Sequence, residues 1–549
     1  MTQMSDRIAQ LWPEIFMGLG ACGCLGVGLA PKVNVRNLTP YVAGLALLWA
    51  MAATGFSDTI SPLGRYVNYA VTGVGLLLLL VAVGVPESLM TTITAERRCL
   101  AGRPFDPGDA MRGEFYAFFL LSLAGVMLCG GANDLAWLFL SLELVSLPTY
   151  IMVATSRDAV DARESAVKYF FLGAMAVAVF LYGFALIYGV TGTTVFTAPP
   201  GEASIAGYIQ ALREAGQPLP PLLVMGLMLA VVGLAFKIAA VPMHFYTADV
   251  YQGAATPVTA FLAFVPKTAG FVSLILLLNA FGGAWPAPVA AALSLMAVLT
   301  MSVGNVLGLL QTNVKRILAY SSIAHSGYMI VGLLAVGETI DRGGALGDGA
   351  AAVLFYLVAY GLGNLAAFAV LASLRTRGEE AQTLEDITGL ARRAPVLAAI
   401  MLLAMLSLIG LPPMIGFLGK IYLFGSAIEH GYVLLVVIAV LNSAVSAVYY
   451  LRIASACYFG EPAGADELEG TQPLGAPGRL IAGGLAAAAA LGLGVVGGSL
   501  VSGAHSAAVA IGEPFPRAEV QSVKKTAKAN EIHPTESAVD TIDTADGGW

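Results

Sequence analysis

Apolar residues run along this chain in stretches of about 20, the length at which a helix crosses the hydrocarbon core of a bilayer. They fall near 11–30, 40–56, 66–86, 114–132, 133–154, 164–190, 222–247, 254–279, 286–310, 314–336, 350–374, 395–428, 431–457 and 479–502. The pattern predicts an all-α polytopic membrane protein of about 14 transmembrane helices. The first stretch starts at Leu11 behind a short leader holding Asp6 and Arg7, with no small-residue cleavage site. It reads as a retained helix rather than a signal peptide.

Two stretches are interrupted. The seventh breaks at Val241-Pro242-Met243-His244 and the twelfth at Pro412-Pro413. Proline removes an N–H donor and blocks helix continuation. In a membrane the freed carbonyls are tolerated only where protein or water meets them. Each break has a lysine nearby, Lys237 and Lys420, and the two spans lie five helices apart. Paired interruptions point to an inverted-repeat architecture, since an odd number of helices per repeat turns the second copy over. This reading divides the chain into a three-helix segment (1–113), a first repeat of helices 4–8 (114–280) and a second of helices 9–13 (281–457). A loop and last helix (458–513) and a soluble polar tail (514–549) follow.

Composition agrees with the pattern. Hydrophobic residues make up 58% and charged residues 11% of the 549 positions, where a soluble domain carries roughly 25% charged. Mean hydropathy is +0.79. A soluble, disordered, collagen-like or coiled-coil protein is excluded, and a net charge of −7 argues against nucleic-acid binding. Cys22, Cys24, Cys99, Cys129 and Cys457 show no C-x-x-C spacing, so no disulfide framework, iron–sulfur cluster or zinc site is expected. Lys and Arg flank the odd-numbered spans on one side sixteen times and lie on the other side eight times. The odd loops are therefore expected in the cytoplasm and both termini on the opposite side. The acidic loop 461–469 runs against that bias, but acidic residues count little in it.

That count leaves Lys168, Lys237, Lys267 and Lys420 inside the spans, together with Glu143. A charge near a helix centre costs roughly 2.5–3.5 kcal/mol on insertion scales, so such residues face a bundle interior or a water-filled path. Lys168 follows Glu164 and can also snorkel. Glu143, in Leu142-Glu143-Leu144, is too short for that. His244 and His325 are two of only five histidines. Both packing and proton relay remain open for them, since a histidine titrates near neutral pH.

These residues lie in segments that resemble a known family. GLAFKIAAVPMHFYTADVYQGAATPVTAFLAFVPKTAGF from Gly233 is similar to the seventh and eighth helices of the antiporter-like membrane subunits of respiratory complex I, the proton-translocating NADH:quinone oxidoreductase. LFLSLELVSLPTYIMVA from Leu138 resembles their fifth helix, NVKRILAYSSIAHSGYMIVG from Asn313 their tenth and LIGLPPMIGFLGKIYLF from Leu408 their twelfth. The run DVYQGA resembles the N type rather than the M or L types. Tyr246, Ala248 and Ala255 depart from the family's usual Trp and Pro residues, which bears on local loop geometry.

The resemblance implies a proton-transfer axis in which Glu143 pairs with Lys237, Lys267 is central and Lys420 faces the exit side. Lys168, His244 and His325 would be auxiliary positions. It implies no cofactor in this chain, with NADH, FMN, iron–sulfur clusters and quinone held by partner subunits of the membrane and peripheral arms. A bacterial inner-membrane location with lipid contacts and periplasmic termini follows. Two other readings remain: a subunit of a multisubunit cation/proton antiporter, and a non-pumping assembly scaffold.

Overall fold

The computed structural model describes residues 10–83, 112–156, 160–199, 201–283, 285–336, 348–376, 379–460, 472–473 and 477–510. The polar tail 514–549 and the whole acidic loop 461–469 therefore lie outside the described residues. Among the described residues the N-terminal segment holds three long helices, α1 (Trp12–Gly28), α2 (Thr39–Phe56) and α3 (Pro62–Ala82), with one short turn of helix at Val33–Arg36 between the first two. Each long helix starts with a proline in its first turn, where the missing N–H has no helical partner to lose. Then come α4 (Arg112–Gly130), α5 (Leu135–Thr155) and α6 (Val160–Thr191). Asp134 caps α5 by accepting from the Ala136 and Trp137 amides.

A short helix that the apolar pattern does not predict, α7 (Ile205–Glu214), crosses the connection to the seventh span. It is amphipathic and capped by Ser204, and its ten residues are too few to span. The seventh span itself is two helices, α8 (Pro221–Lys237) and α9 (Thr247–Gly253). The next four are continuous: α10 (Thr256–Ala280), α11 (Ala287–Leu309), α12 (Val314–Leu334) and α13 (Gly349–Ala372). The twelfth span is again double, α14 (Pro395–Ile409) and α15 (Ile415–Glu429), followed by α16 (Val433–Phe459). The last predicted span is split at Gly497 into α17 (Pro477–Val496) and α18 (Gly498–Val509).

Among the described residues, eleven helices are long and apolar enough to cross a membrane, and α8 and α14 are shorter apolar helices. A small antiparallel sheet joins β1 (Leu374–Thr376), β2 (Glu379–Glu380) and β3 (Gln472–Pro473) in the order β2-β1-β3. It ties the connection after α13 to the one before α17, and no alternating pattern in the sequence announces it.

Enclosure differs sharply between helices. All of α13 and almost all of α10 and α12 are buried, whereas α6, α16 and α17 turn much of their surface outward. Outward side chains such as Phe171, Tyr182, Leu434 and Leu441 are apolar, as a lipid-facing surface requires. Inside, small residues set helix separation. A Cβ on Gly183 would stand 2.5 Å from the Gly226 carbonyl oxygen, so α6 and α8 approach backbone to backbone. The same device brings α11 to α12, where a Cβ on Gly327 would meet the Met301 amide at 2.8 Å. The enclosed helices are the ones that carry Lys267 and His325.

Candidate functional site

The site begins on α5. Glu143 and Ser146 lie three residues apart and so share a helix face. Lys237, the last residue of α8, reaches across to both: its Nζ is 3.8 Å from Glu143 Oε1 and donates a hydrogen bond to Ser146 Oγ. Lys237 is only 3% exposed. Immediately after it, Ala239 adopts φ 55°, a left-handed conformation that costs a non-glycine residue about 1–2 kcal/mol.

The freed backbone of this break is met by neighbouring helices and by a tyrosine of the break itself. The Ile238 carbonyl accepts from Ser326 Oγ, the Val241 amide donates to Thr300 Oγ1 at 3.0 Å, and Tyr246 Oη donates to the Phe236 carbonyl at 2.8 Å. Gly270 on α10 makes room, since a Cβ there would come within 2.6 Å of Ile238 Cγ2.

Ser326 links the break to the next lysine. Lys267 Nζ donates to Ser326 Oγ at 2.7 Å and to the Ser322 carbonyl, and stands 5.2 Å from the centre of the Tyr360 ring. The ring face adds a cation–π attraction to those two acceptors. Tyr360 Oη in turn donates to Ser322 Oγ at 2.7 Å, and Tyr251 Oη lies 3.2 Å from the same oxygen. Between Lys237 and Lys267 is a cavity of about 10 Å³, lined in part by Thr247, Val250 and Tyr251, which is the room needed by one water molecule.

From Lys267 the row continues along α12. His325 sits between two phenols, Nδ1 2.7 Å from Tyr356 Oη and Nε2 2.8 Å from Tyr450 Oη. Its ring packs edge-on against Tyr328 at 5.6 Å between centroids. The opposite contact of Tyr328 is Lys420 Nζ, 5.3 Å from its ring centre. Lys420 donates to the Ile409 carbonyl at 2.6 Å, the Leu408 carbonyl at 3.3 Å and Ser443 Oγ at 2.8 Å. Those two carbonyls are the ones that the break after α14 leaves without helical partners. Gly410, at φ 84°, ends α14 in the left-handed turn that exposes them.

The structure thus brings Lys237, Lys267, His325 and Lys420 into one buried row, with Glu143 half-buried at its start. Lys168 stands apart: it is 43% exposed and ion-paired with Glu164 at 2.7 Å and Asp249 at 2.9 Å. His244 is buried beside Phe245, and among the described residues no hydrogen bond joins it to the row. The sequence reading missed the hydroxyl groups between the charges, namely Ser146, Ser322, Ser326, Tyr360 and Ser443. One signal was available: Ser322 and Ser326 are spaced i, i+4 and so lie on one face of α12, with His325 between them in sequence.

The family described as NADH:quinone oxidoreductase/Mrp antiporter, TM, matches residues 132–446, which contain the whole row. An NADH-quinone oxidoreductase subunit N from Trichlorobacter lovleyi is 37% identical over 470 residues, covering 83% of this chain and 90% of that protein. A chain in the solved respiratory complex I of Thermus thermophilus is 32% identical with a TM-score of 0.69, covering 89% of this chain and 98% of its own length. A chain of the Mrp complex from Dietzia sp. shares the fold, with a TM-score of 0.73 at 21% identity over 94% of this chain and 99% of that one. With a family match across more than half its length and a relative this similar over most of both chains, the protein belongs to the NADH:quinone oxidoreductase/Mrp antiporter transmembrane family, within the subunit N group.

Proposed function

We propose that this chain is the proton-translocating membrane-arm subunit N of an NADH:quinone oxidoreductase, moving protons along the buried row while partner subunits carry out the redox chemistry. The observation that supports it best is the continuity of that row. Lys237, Lys267 and Lys420 are each buried; Ser326 ties Lys267 to the Ile238 carbonyl next to Lys237, and the Tyr328 ring touches both His325 and Lys420. Hydroxyls and an imidazole can both donate and accept, so the side chains beside the lysines can take part in handing a proton on.

Glu143 is placed to control the first lysine. A nearby carboxylate stabilises the ammonium form, so displacing or screening Glu143 loosens the proton on Lys237. Lys267 then receives it across the cavity, and Lys420 passes it on. In this reading NADH, FMN, iron–sulfur clusters and quinone belong to the partners, and this chain contributes no redox centre. The chain lies in the bacterial inner membrane with its odd-numbered loops in the cytoplasm. The domain boundaries and the two inverted repeats are part of the same proposal. The test is the Lys237→Ala complex reconstituted in proteoliposomes, assayed for NADH-driven quinone reduction and proton uptake. Severe loss of both in an assembled complex is expected, and unchanged pumping would overturn the reading.

The multisubunit cation/proton antiporter is the second reading, and likeness to the Dietzia chain extends to the fold alone. Sodium-dependent transport without NADH would favour it.

A further inference from the structure

The short distal half of the broken seventh span, α9, has two faces with different partners. Thr247, Val250 and Tyr251, at i, i+3 and i+4, line the cavity between Lys237 and Lys267. Asp249 and Gln252, on the other side, are held by basic residues of α6 and α12. Lys168 Nζ donates to Asp249 Oδ2 and Arg316 Nη1 to Asp249 Oδ1, both at 2.9 Å. Arg316 also donates to Gln252 Oε1 at 3.0 Å, and Ser165 Oγ donates to the Asp249 carbonyl at 2.9 Å. Seven residues closing over a one-water cavity are therefore tied down from outside, and the Asp249 carboxylate is the one group among these ties that is gripped by cations from two helices, with Lys315 Nζ also donating to the Ala254 carbonyl just beyond α9 at 2.6 Å.

Asp249 and Lys168 are both partly exposed, at 36% and 43%, while Thr247 behind them is 1% exposed. The ion pairs thus stand between the outer surface of the chain and the enclosed lysines. Part-exposed pairs are individually weak. That suits a contact that must open and close repeatedly rather than one that only holds the fold. It also gives Lys168 a task at the rim that its distance from the buried row would otherwise leave unexplained.

We propose that Asp249 is a positioning residue that latches α9 over the cavity. Its ion pairs with Lys168 and Arg316 keep water out, and their release admits water and protons to Lys237 and Lys267. The latch rests on the proton-translocation reading for its purpose, but its test reads accessibility and not pumping. The probe is a cysteine at Thr247, a small change at a hydroxyl that has no hydrogen-bond partner. Labelling of T247C by a membrane-impermeant maleimide is followed by mass spectrometry in the assembled complex. With Asp249 intact the label should enter slowly. In D249N the rate should rise on the order of tenfold, as expected when two part-exposed ion pairs are lost. D249E, which restores the carboxylate, should return it towards the starting rate.

An assembled D249N complex that labels at the unaltered rate overturns the latch. Where D249N does not assemble, K168Q removes one of the two cations and is judged by the same readout. The two proposals fail separately. Normal pumping in Lys237→Ala would sink proton translocation while leaving the labelling result standing. Unchanged labelling would sink the latch and leave the lysine row untouched.

Discussion

The two interrupted spans hold their lysines in opposite ways. Lys237 comes before its break and faces Glu143, an ionisable partner on another helix, at 3.8 Å. Lys420 comes after its break and is held by the Leu408 and Ile409 carbonyls of its own span, with Ser443 from α16. Among the described residues no carboxylate pairs with it. A carboxylate can change its charge or move away, whereas a carbonyl dipole cannot. The first lysine thus has a partner that the proposed mechanism can switch, while the second sits in a fixed set of acceptors at a helix C-terminus, where the backbone dipole favours a cation.

The largest effect is expected at the switched end. Lys237→Ala leaves Glu143 in the bundle without its cation, and breaking a buried pair from one side costs about 3–5 kcal/mol. Glu143 is 19% exposed, which places the cost at the lower end. Replacing both partners as Glu143→Gln with Lys237→Met should recover most of that stability in a detergent melting experiment, with proton uptake still absent. Recovery of pumping in the double variant would mean that the pair is only structural.

At the receiving end, Lys420→Arg separates charge from proton release. Arginine keeps the charge and is effectively never deprotonated at neutral pH. Proton uptake in Lys420→Arg should therefore fall nearly as far as in Lys420→Ala. Near-normal uptake would reduce Lys420 to a charge-balancing role, and the contrast between the two breaks would collapse.

Smaller effects should come from the backbone of each break, with opposite signs. Ala239 occupies the left-handed region at a cost, so Ala239→Gly should stabilise by up to about 1 kcal/mol. Gly410→Ala should destabilise by a similar amount or more, because the same region is demanded at φ 84° and the new Cβ would stand 3.0 Å from Lys420 Cδ. Melting temperatures of the two purified complexes test the signs. The smallest effect is expected for truncation after Glu513, beyond both breaks. The segment removed is polar in composition, with too little apolar area to form a core of its own. Turnover per assembled complex should be unchanged, and loss of pumping in a fully assembled truncation would show that the tail acts on the row.

The sequence by itself determined the spans, because a bilayer demands about 20 apolar residues per crossing and this chain supplies them repeatedly. It also determined where the two interruptions fall and which lysines and which glutamate needed explaining, because proline and intramembrane charge are expensive locally, whatever the fold. It left α7 unseen, since a short amphipathic helix carries no spanning signal. The β1–β3 sheet escaped for a similar reason: strands of two or three residues are too short to show alternation. Lys168 shows the limit most clearly. In sequence it stands inside an apolar run like Lys237, but the rotation of α6 in the bundle turns it to the rim and to Asp249, 81 residues away. Only the tertiary structure decided that the Ser326 hydroxyl bridges the break after Lys237 to Lys267, and that the Tyr328 ring lies between His325 and Lys420. Neutral hydroxyls and aromatic rings cost little wherever they stand. Their place in the row comes from helix packing and leaves no mark in the pattern of apolar and charged residues.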